Sequence, residues 1–164
     1  MRFRGPLFGG LVIALVGLVL DQATKLAVLS ALRDQPGRVI EVTPFFDLVL
    51  VWNRGISYGL FQAGSQAQVW MLIGLASAIT VALFIWLWRT DDPFIALALG
   101  LLIGGAIGNT IDRAAYGAVV DFVSLHAAGF HWYVFNLADV WVVVGVLLLL
   151  YDAFLRPEAS KLAD

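Results

Sequence analysis

Hydrophobic and polar positions fall in long blocks along this chain. Four apolar runs, at about 7–30, 68–88, 94–112 and 136–155, are each long enough to cross a bilayer core as helix, which takes about 20 mainly apolar residues. Pro93 suits the start of the third run, and Arg156-Pro157 stops the fourth because proline cannot continue a helix. Between the first two runs the period changes. Asp47-Leu48-Val49-Leu50-Val51-Trp52-Asn53 alternates as a strand does, within a stretch from Val39 to Phe61 rich in β-branched and aromatic residues, and GAVVDFVSL at 117–125 reads alike. The pattern predicts a membrane all-α bundle of four transmembrane helices with a small extracytoplasmic β-sheet platform over the helix mouth. RTDDP at 89–93 is a bare turn, so the elaboration lies in two segments on the other face, about 31–67 and 113–135. Residues 1–164 are expected to form a single integral-membrane domain.

Composition explains why lipid has to be the solvent. Hydrophobic residues make up 61% and charged residues 13% of the 164, against roughly 25% charged in soluble domains, and the mean hydropathy is +0.89. A soluble fold this short cannot bury so much apolar surface. The opening MRFRGPLFGGLVIALVGLVL has the charge pattern of a signal peptide. Its apolar stretch outruns the usual core of about 7–15 residues, however, and predicts an uncleaved first span. Four spans put both termini on one side. Arg2, Arg4, Arg89, Arg156 and Lys161 on that side stand against Arg33, Arg38, Arg54 and Arg113 on the other, plus Lys25 within a span, five against four or five, and Arg2 and Arg4 before the first span favour cytoplasmic termini. A net charge of −2 offers no basic footprint for nucleic acid. The absence of cysteine excludes disulfides, cysteine-ligated metals and thiol catalysis.

Against this apolar background the polar residues in or beside the spans stand out: Asp21, Lys25, Asn53, Asn109, Asp112, Arg113, Asp121, Asn136 and Asp139. Ionisable groups there are rare and usually face a polar interior. In the predicted topology all of them lie near the outer rim. Asp21 and Lys25, four apart in the favourable acid-first order, either neutralise each other or shape a site. Asp112 suits packing, and Arg113 is expected to snorkel outward or pair across helices. Asn136 can cap the last helix, with Asp139 three residues on facing the positive end of its dipole. Asp121, in VVDFV, has no cap and no local cation to account for it.

Two carboxylates without metal ligands suggest acid–base chemistry. A close pair cannot ionise fully, so one is driven neutral and the other stays charged. The charged member takes a proton from water while the neutral one protonates a carbonyl oxygen, which hydrolyses an amide without a covalent intermediate. Other chemistries fit less well. His126 and His131 lie on a loop-like stretch with no HExxH, so no metal is expected. Serine–lysine catalysis has no supporting spacing around Lys25, Ser57 or Ser124. GLLIGGAIGN lacks the lysine of a phosphate loop, and its glycines at 100, 104 and 108 suit close helix packing. A proton-coupled transporter would gather carboxylates too, but near the midplane and in internal repeats. A non-enzymatic membrane assembly subunit would explain the glycines and not Asp121.

Five motifs in order, DQATK at 21–25, WNRGISYGLF at 52–61, GGAIGNTIDR at 104–113, VVDFV at 119–123 and FNLADVWVVVG at 135–145, resemble those of the bacterial lipoprotein signal peptidases, the type II signal peptidases. The resemblance implies a four-helix inner-membrane aspartyl endopeptidase with its active site near the outer surface. Such an enzyme removes the signal peptide of a diacylglyceryl-prolipoprotein just before the lipidated cysteine. It further implies a monomer without cofactor, working on substrate within membrane lipid. By motif, Asp121 and Asp139 look like the catalytic pair. Asp21, Lys25, Asn53, Gly55, Asn109, Asp112, Arg113 and Asn136 look like substrate-binding or site-shaping residues. One block departs from the family pattern: N-x-G-A-x-F-G becomes Asn53-Arg54-Gly55-Ile56-Ser57-Tyr58-Gly59, which changes the local shape expected at the lipid or signal-peptide contact. At the start of a helix Asp139 is expected to be the charged member, and Asp121, among apolar neighbours, the proton-sharing acid. Arg54 and Arg113 are expected to attract lipid phosphate. The 31–67 segment is expected to act as platform and movable cover through Gly55, Gly59 and Gly64.

Overall fold

The computed structural model describes residues 5–55 and 66–156. Along them run α1 (Gly5–Leu32), β1 (Ile40–Thr43), β2 (Phe46–Asn53), α2 (Gln66–Arg89), α3 (Pro93–Tyr116), β3 (Val119–Ala127), β4 (Phe130–His131) and α4 (Leu137–Phe154). All four helices are long and apolar enough to cross a membrane, as the block pattern predicts. Ile56, Ser57, Tyr58, Gly59 and Gly64, with which the departing motif and the expected cover were concerned, lie outside the described residues, as do Arg2, Arg4 and Lys161.

α3 is the axis of the bundle. It packs along α1, α2 and α4, and half of its most apolar window is buried, against 11% for α2 and α4. Its small residues permit this. A Cβ on Gly100 would stand 2.5 Å from the Gly10 carbonyl oxygen on α1, and one on Gly104 would stand 2.7 Å from that of Ala14. On the α4 side a Cβ on Gly105 would meet the Ala138 carbonyl at 2.6 Å. Helices without side chains at the crossing gain van der Waals contact that lipid cannot match. Large side chains on the other faces, among them Phe8, Leu15, Trp70, Leu75, Trp88, Val143 and Leu147, remain exposed, as lipid-facing residues should.

The ends of α3 are encoded locally. Asp92 caps the start, its Oδ1 accepting from Phe94 N at 2.8 Å and Ile95 N at 3.4 Å, with Pro93 following. Gly117, at φ 69°, closes the other end in the left-handed region. The helix thus runs four residues past the predicted end at 112, because Asp112, which looks like a terminus by polarity, is buried and bonded within the bundle.

The strands form one antiparallel sheet in the order β1-β2-β3-β4. Phe122 of β3 seals it onto α1, packing with Val28 and Leu32 beside Ile40, Leu48 and Leu50. Opposite Phe122, the β2–β3 register is interrupted between Leu48 and Val51, so Val51 pairs with Asp121 and Asn53 with Val119. Side chains alternate along a strand, so with Phe122 turned to α1, Asp121 faces the other way. One expectation is corrected here. His126 and His131 do not lie on a loop but pair across a β3–β4 hairpin. Ala128 and Gly129, at φ 48° and 81°, make its two-residue turn; alanine in the first turn position hides the usual glycine or asparagine signal.

Candidate active site

α1 and α3 finish, and α4 begins, at the end of the bundle that carries the sheet. The polar residues picked out along the sequence meet there in one hydrogen-bonded chain.

The chain starts from a buried lysine. Lys25 Nζ lies 2.9 Å from Asp21 Oδ2 and 2.8 Å from Asp112 Oδ2, and donates to Asn109 Oδ1 at 2.9 Å. Each carboxylate also ties down backbone from another element: Asp21 Oδ1 accepts from Ala138 N of α4 at 2.9 Å, and Asp112 Oδ2 from Val120 N of β3 at 3.1 Å. The Asp21–Lys25 pair therefore does more than neutralise itself, and Asp112 holds the strand that carries Asp121.

Asn109 passes the contact on. Its Nδ2 donates to Asp139 Oδ1 at 2.9 Å. Asp139 Oδ2 accepts from Asn136 N at 3.1 Å, while Asn136 Oδ1 accepts from Asp139 N at 3.0 Å, a reciprocal capping box at the start of α4. The Asn136 amide group also donates to Asp121 Oδ1 at 2.6 Å. Asn53 Nδ2, reaching diagonally from β2, donates to Asp121 Oδ2 at 2.9 Å. One residue, Asn136, thus touches both carboxylates. Each of the four carboxylate oxygens has a neutral N–H donor, and the nearest ammonium stands one residue further off.

Asp121 is 1% exposed. Burial, followed by the Asp139 carboxylate, pushes its pKa up from 3.8 to about 7, against the opposing pull of the Asn53 and Asn136 amides and of Lys25. Asp139 is half-buried and lines a groove of about 490 Å³ along α4, walled by Trp132, Tyr133, Phe135, Val140 and Val143. An apolar groove with one carboxylate at its edge can hold a hydrophobic chain beside a reacting bond.

Gly55 and Arg113 close the site from the sheet side. Gly55 N donates to Asn53 Oδ1 at 3.1 Å, and Arg113 Nη2 donates to the Gly55 carbonyl at 3.3 Å. Arg113 therefore turns inward and does not snorkel; a second donation, to the Asn109 carbonyl at 3.3 Å, holds it against its own helix. Arg54 is exposed. His126 pairs with Asp47, Nε2 to Oδ2 at 2.9 Å, on the sheet and apart from this chain. Among the described residues no three acidic or histidine side chains stand together so as to hold a metal ion.

All ten residues selected by sequence are thus gathered in one place. Gln22 was not selected, although it lies within DQATK. Its Nε2 donates to Asp112 Oδ1 at 3.0 Å, Asp21 Oδ2 at 3.2 Å and the Gly108 carbonyl at 3.3 Å, a brace across α1 and α3. The groove aromatics were not singled out either, since such residues look like ordinary interface anchors.

The chain is similar to known proteins along nearly its whole length. The model of the signal peptidase (SPase) II family matches residues 13–155. The chain is 52% identical over 160 residues to the lipoprotein signal peptidase of Nitrobacter hamburgensis, covering 95% of this chain and 98% of that protein. It is 53% identical over 161 residues to that of Rhodopseudomonas palustris, with the same two coverages. Two solved structures, both described as a bacterial membrane enzyme determined by the in meso method, share the fold. One superposes with TM-score 0.78 at 28% identity over 96% of this chain and 99% of that one. The other gives 0.76 at 29% identity over 91% and 92%.

Proposed function

The chain belongs to the signal peptidase II family, and from that premise we propose that Asp121 and Asp139 are its catalytic pair and that its substrate is a diacylglyceryl-modified prolipoprotein. The protein is an aspartic endopeptidase of the inner membrane that processes lipoprotein signal peptides, which displaces the transporter and assembly-subunit readings. The bond cut lies just before the lipidated cysteine. The observation that carries the assignment is Asn136, which donates to Asp139 through its backbone and to Asp121 through its side chain.

In the proposed cycle Asp139 begins as carboxylate and Asp121 as acid. Asp139 removes a proton from water, the resulting hydroxide oxygen bonds to the scissile carbonyl carbon, and Asp121 gives its proton to the carbonyl oxygen. A tetrahedral diol results. Return of a hydroxyl proton to Asp121 re-forms the carbonyl. The proton on Asp139 passes to the departing nitrogen, and the C–N bond breaks. The pair regains its starting state with water consumed. Asp121, with its pKa near 7, suits the role of acid, and the groove at Asp139 suits lateral entry of a lipid-borne substrate. Residues 1–164 act as one domain, a monomer with both termini cytoplasmic and the site near the extracytoplasmic surface. Arg54 is exposed in a position to meet lipid phosphate, whereas Arg113 braces the site.

Incubating the purified enzyme in detergent with a diacylglyceryl prolipoprotein, and following the mass of the cysteine-containing product, tests this reading. Wild type releases the signal peptide, while Asp121→Asn and Asp139→Asn, folded and inserted, do not. Cleavage by either variant at near the wild-type rate would overturn the pair.

A further inference from the structure

The contact between Lys25 and Asn109 has a purpose that burial and neutralisation do not explain. An ammonium has three protons, and those of Lys25 meet three acceptors: Asp21 Oδ2, Asp112 Oδ2 and Asn109 Oδ1. Asn109 Oδ1 also accepts from Asn136 Nδ2 at 3.2 Å. Were the Asn109 amide turned over, its NH2 group would face the Lys25 ammonium and the Asn136 NH2, donor against donor. Its oxygen would then face the Asp139 carboxylate. Only the observed orientation pairs every group, and it points Nδ2 at Asp139 Oδ1.

We propose that Lys25 is a positioning residue for the hydrolysis: its third proton locks the Asn109 amide in the orientation that donates to Asp139, and its charge, delivered through that amide, sets the proton distribution of the pair. The inference rests on the assignment of Asp121 and Asp139 above. The charged and titratable groups that bear on the pair are Asp21 and Lys25 from α1, Asp112 and Arg113 from α3, Asp121 from β3 and Asp139 from α4; β2 contributes the neutral Asn53. Among these Lys25 is the cation joined to Asp139 by a single intervening side chain. Without it the longer Asn136 contact is left to hold the Asn109 amide, so the donor to Asp139 is less firmly fixed, and Asp121, which Lys25 pulls toward ionisation, holds its proton to higher pH.

Removing Lys25 alone would leave Asp21 and Asp112 as adjacent buried charges, so the test uses Lys25→Met together with Asp112→Asn. The trio then keeps its net charge of −1, and Asp21 keeps its bonds to Ala138 N and Gln22. Asp112→Asn alone is the reference. Steady-state cleavage of a diacylglyceryl peptide is followed against pH, with melting temperature in detergent as the check on folding. Relative to the reference, the double variant is expected to lose about 100-fold in kcat, the scale of a misplaced reacting group, with KM within about twofold. Its alkaline limb moves above the reference's. Adding Asn109→Leu to the double variant should lower kcat no further, since both changes break the same link. Equal kcat and an unmoved limb in double variant and reference, or losses that multiply on adding Asn109→Leu, overturn the lock. Should the double variant not fold, Asn109→Asp decides. It keeps an acceptor for Lys25 but offers Asp139 no donor, so kcat falls, and a wild-type kcat overturns the lock. Failure of the lock leaves Asp139→Asn inactive, whereas failure of the catalytic pair is seen in Asp139→Asn itself.

Discussion

Asn136 uses each polar atom of its side chain: Oδ1 caps α4, and Nδ2 divides between Asp121 and Asn109. Asn136→Asp keeps the cap acceptor and sets a third carboxylate against Asp121. It should therefore cost about 100-fold in kcat and, with two buried carboxyls in contact, lower the melting temperature as well. Asn136→Ala loses the cap, about 1 kcal/mol, so it should lower the melting temperature; wild-type melting of this variant would remove the capping role. Asp121 makes a separate prediction. Its pKa near 7 means that it loses its proton as pH rises through neutrality. An acid that must give a proton is then spent, so kcat should fall on the alkaline side from about pH 7. Coupling to Asp139 makes this a property of the pair. A rate flat to about pH 9 would count against Asp121 as the acid. At this scale the sequence is most readable where a residue contradicts its surroundings. Asp121 among valines and Asp139 ahead of VWVVVG declare themselves. Gln22 does not, because an amide at a membrane rim has many unremarkable explanations and its three partners lie on two helices.

α3 links these residues because it approaches α1 and α4 through different faces. The glycines at 100, 104 and 108 recur every four residues and mark the α1 face in the sequence. Gly105 follows Gly104 by about 100° around the helix and meets the first turn of α4, where Ala138 precedes Asp139. Nothing in the four-residue repeat points to it. Gly105→Val should push that turn away, costing about 1–3 kcal/mol from overpacking and most of the activity. Gly74→Ala, where a Cβ meets nothing within 4 Å, should leave both within error. Melting curves and cleavage rates of the two variants together check this, and a tolerant Gly105→Val would show that α4 has room to move. The helices themselves were legible because lipid demands long apolar runs and permits little else. The end of α3 and the β3–β4 hairpin were not: one depended on Lys25 burying Asp112 from another helix, the other on an alanine at positive φ.

Among the described residues the polar bonding of the site gathers at one end of the molecule, and at the other Arg156 Nη1 reaches Asp92 at 2.5 Å and Asp152 at 3.3 Å. With the termini cytoplasmic, as proposed, that fastening lies inside and the carboxylate pair outside. The chain has no cysteine, so single introduced thiols report cleanly. Asp91→Cys should react with a membrane-impermeant maleimide only in inverted vesicles, and Asp34→Cys only in right-side-out ones; the reverse pattern would invert the topology. The helix between those two ends has a further consequence. α4 has 18 residues, about 27 Å, whereas α1 has 28, about 42 Å. A hydrocarbon layer about 30 Å thick exceeds the first, which favours local thinning, and falls short of the second, which favours tilt or protrusion beyond the layer. The protein thus meets the bilayer with walls of unequal height, and its lowest wall is the one that carries Asp139. Lipid that thinned to match it would bring its headgroups toward the carboxylate, and the depth at which a lipid-anchored bond arrives would then depend on the membrane. Cleavage rate should then depend on the acyl-chain length of the host bilayer, which reconstitution in lipids of graded thickness checks.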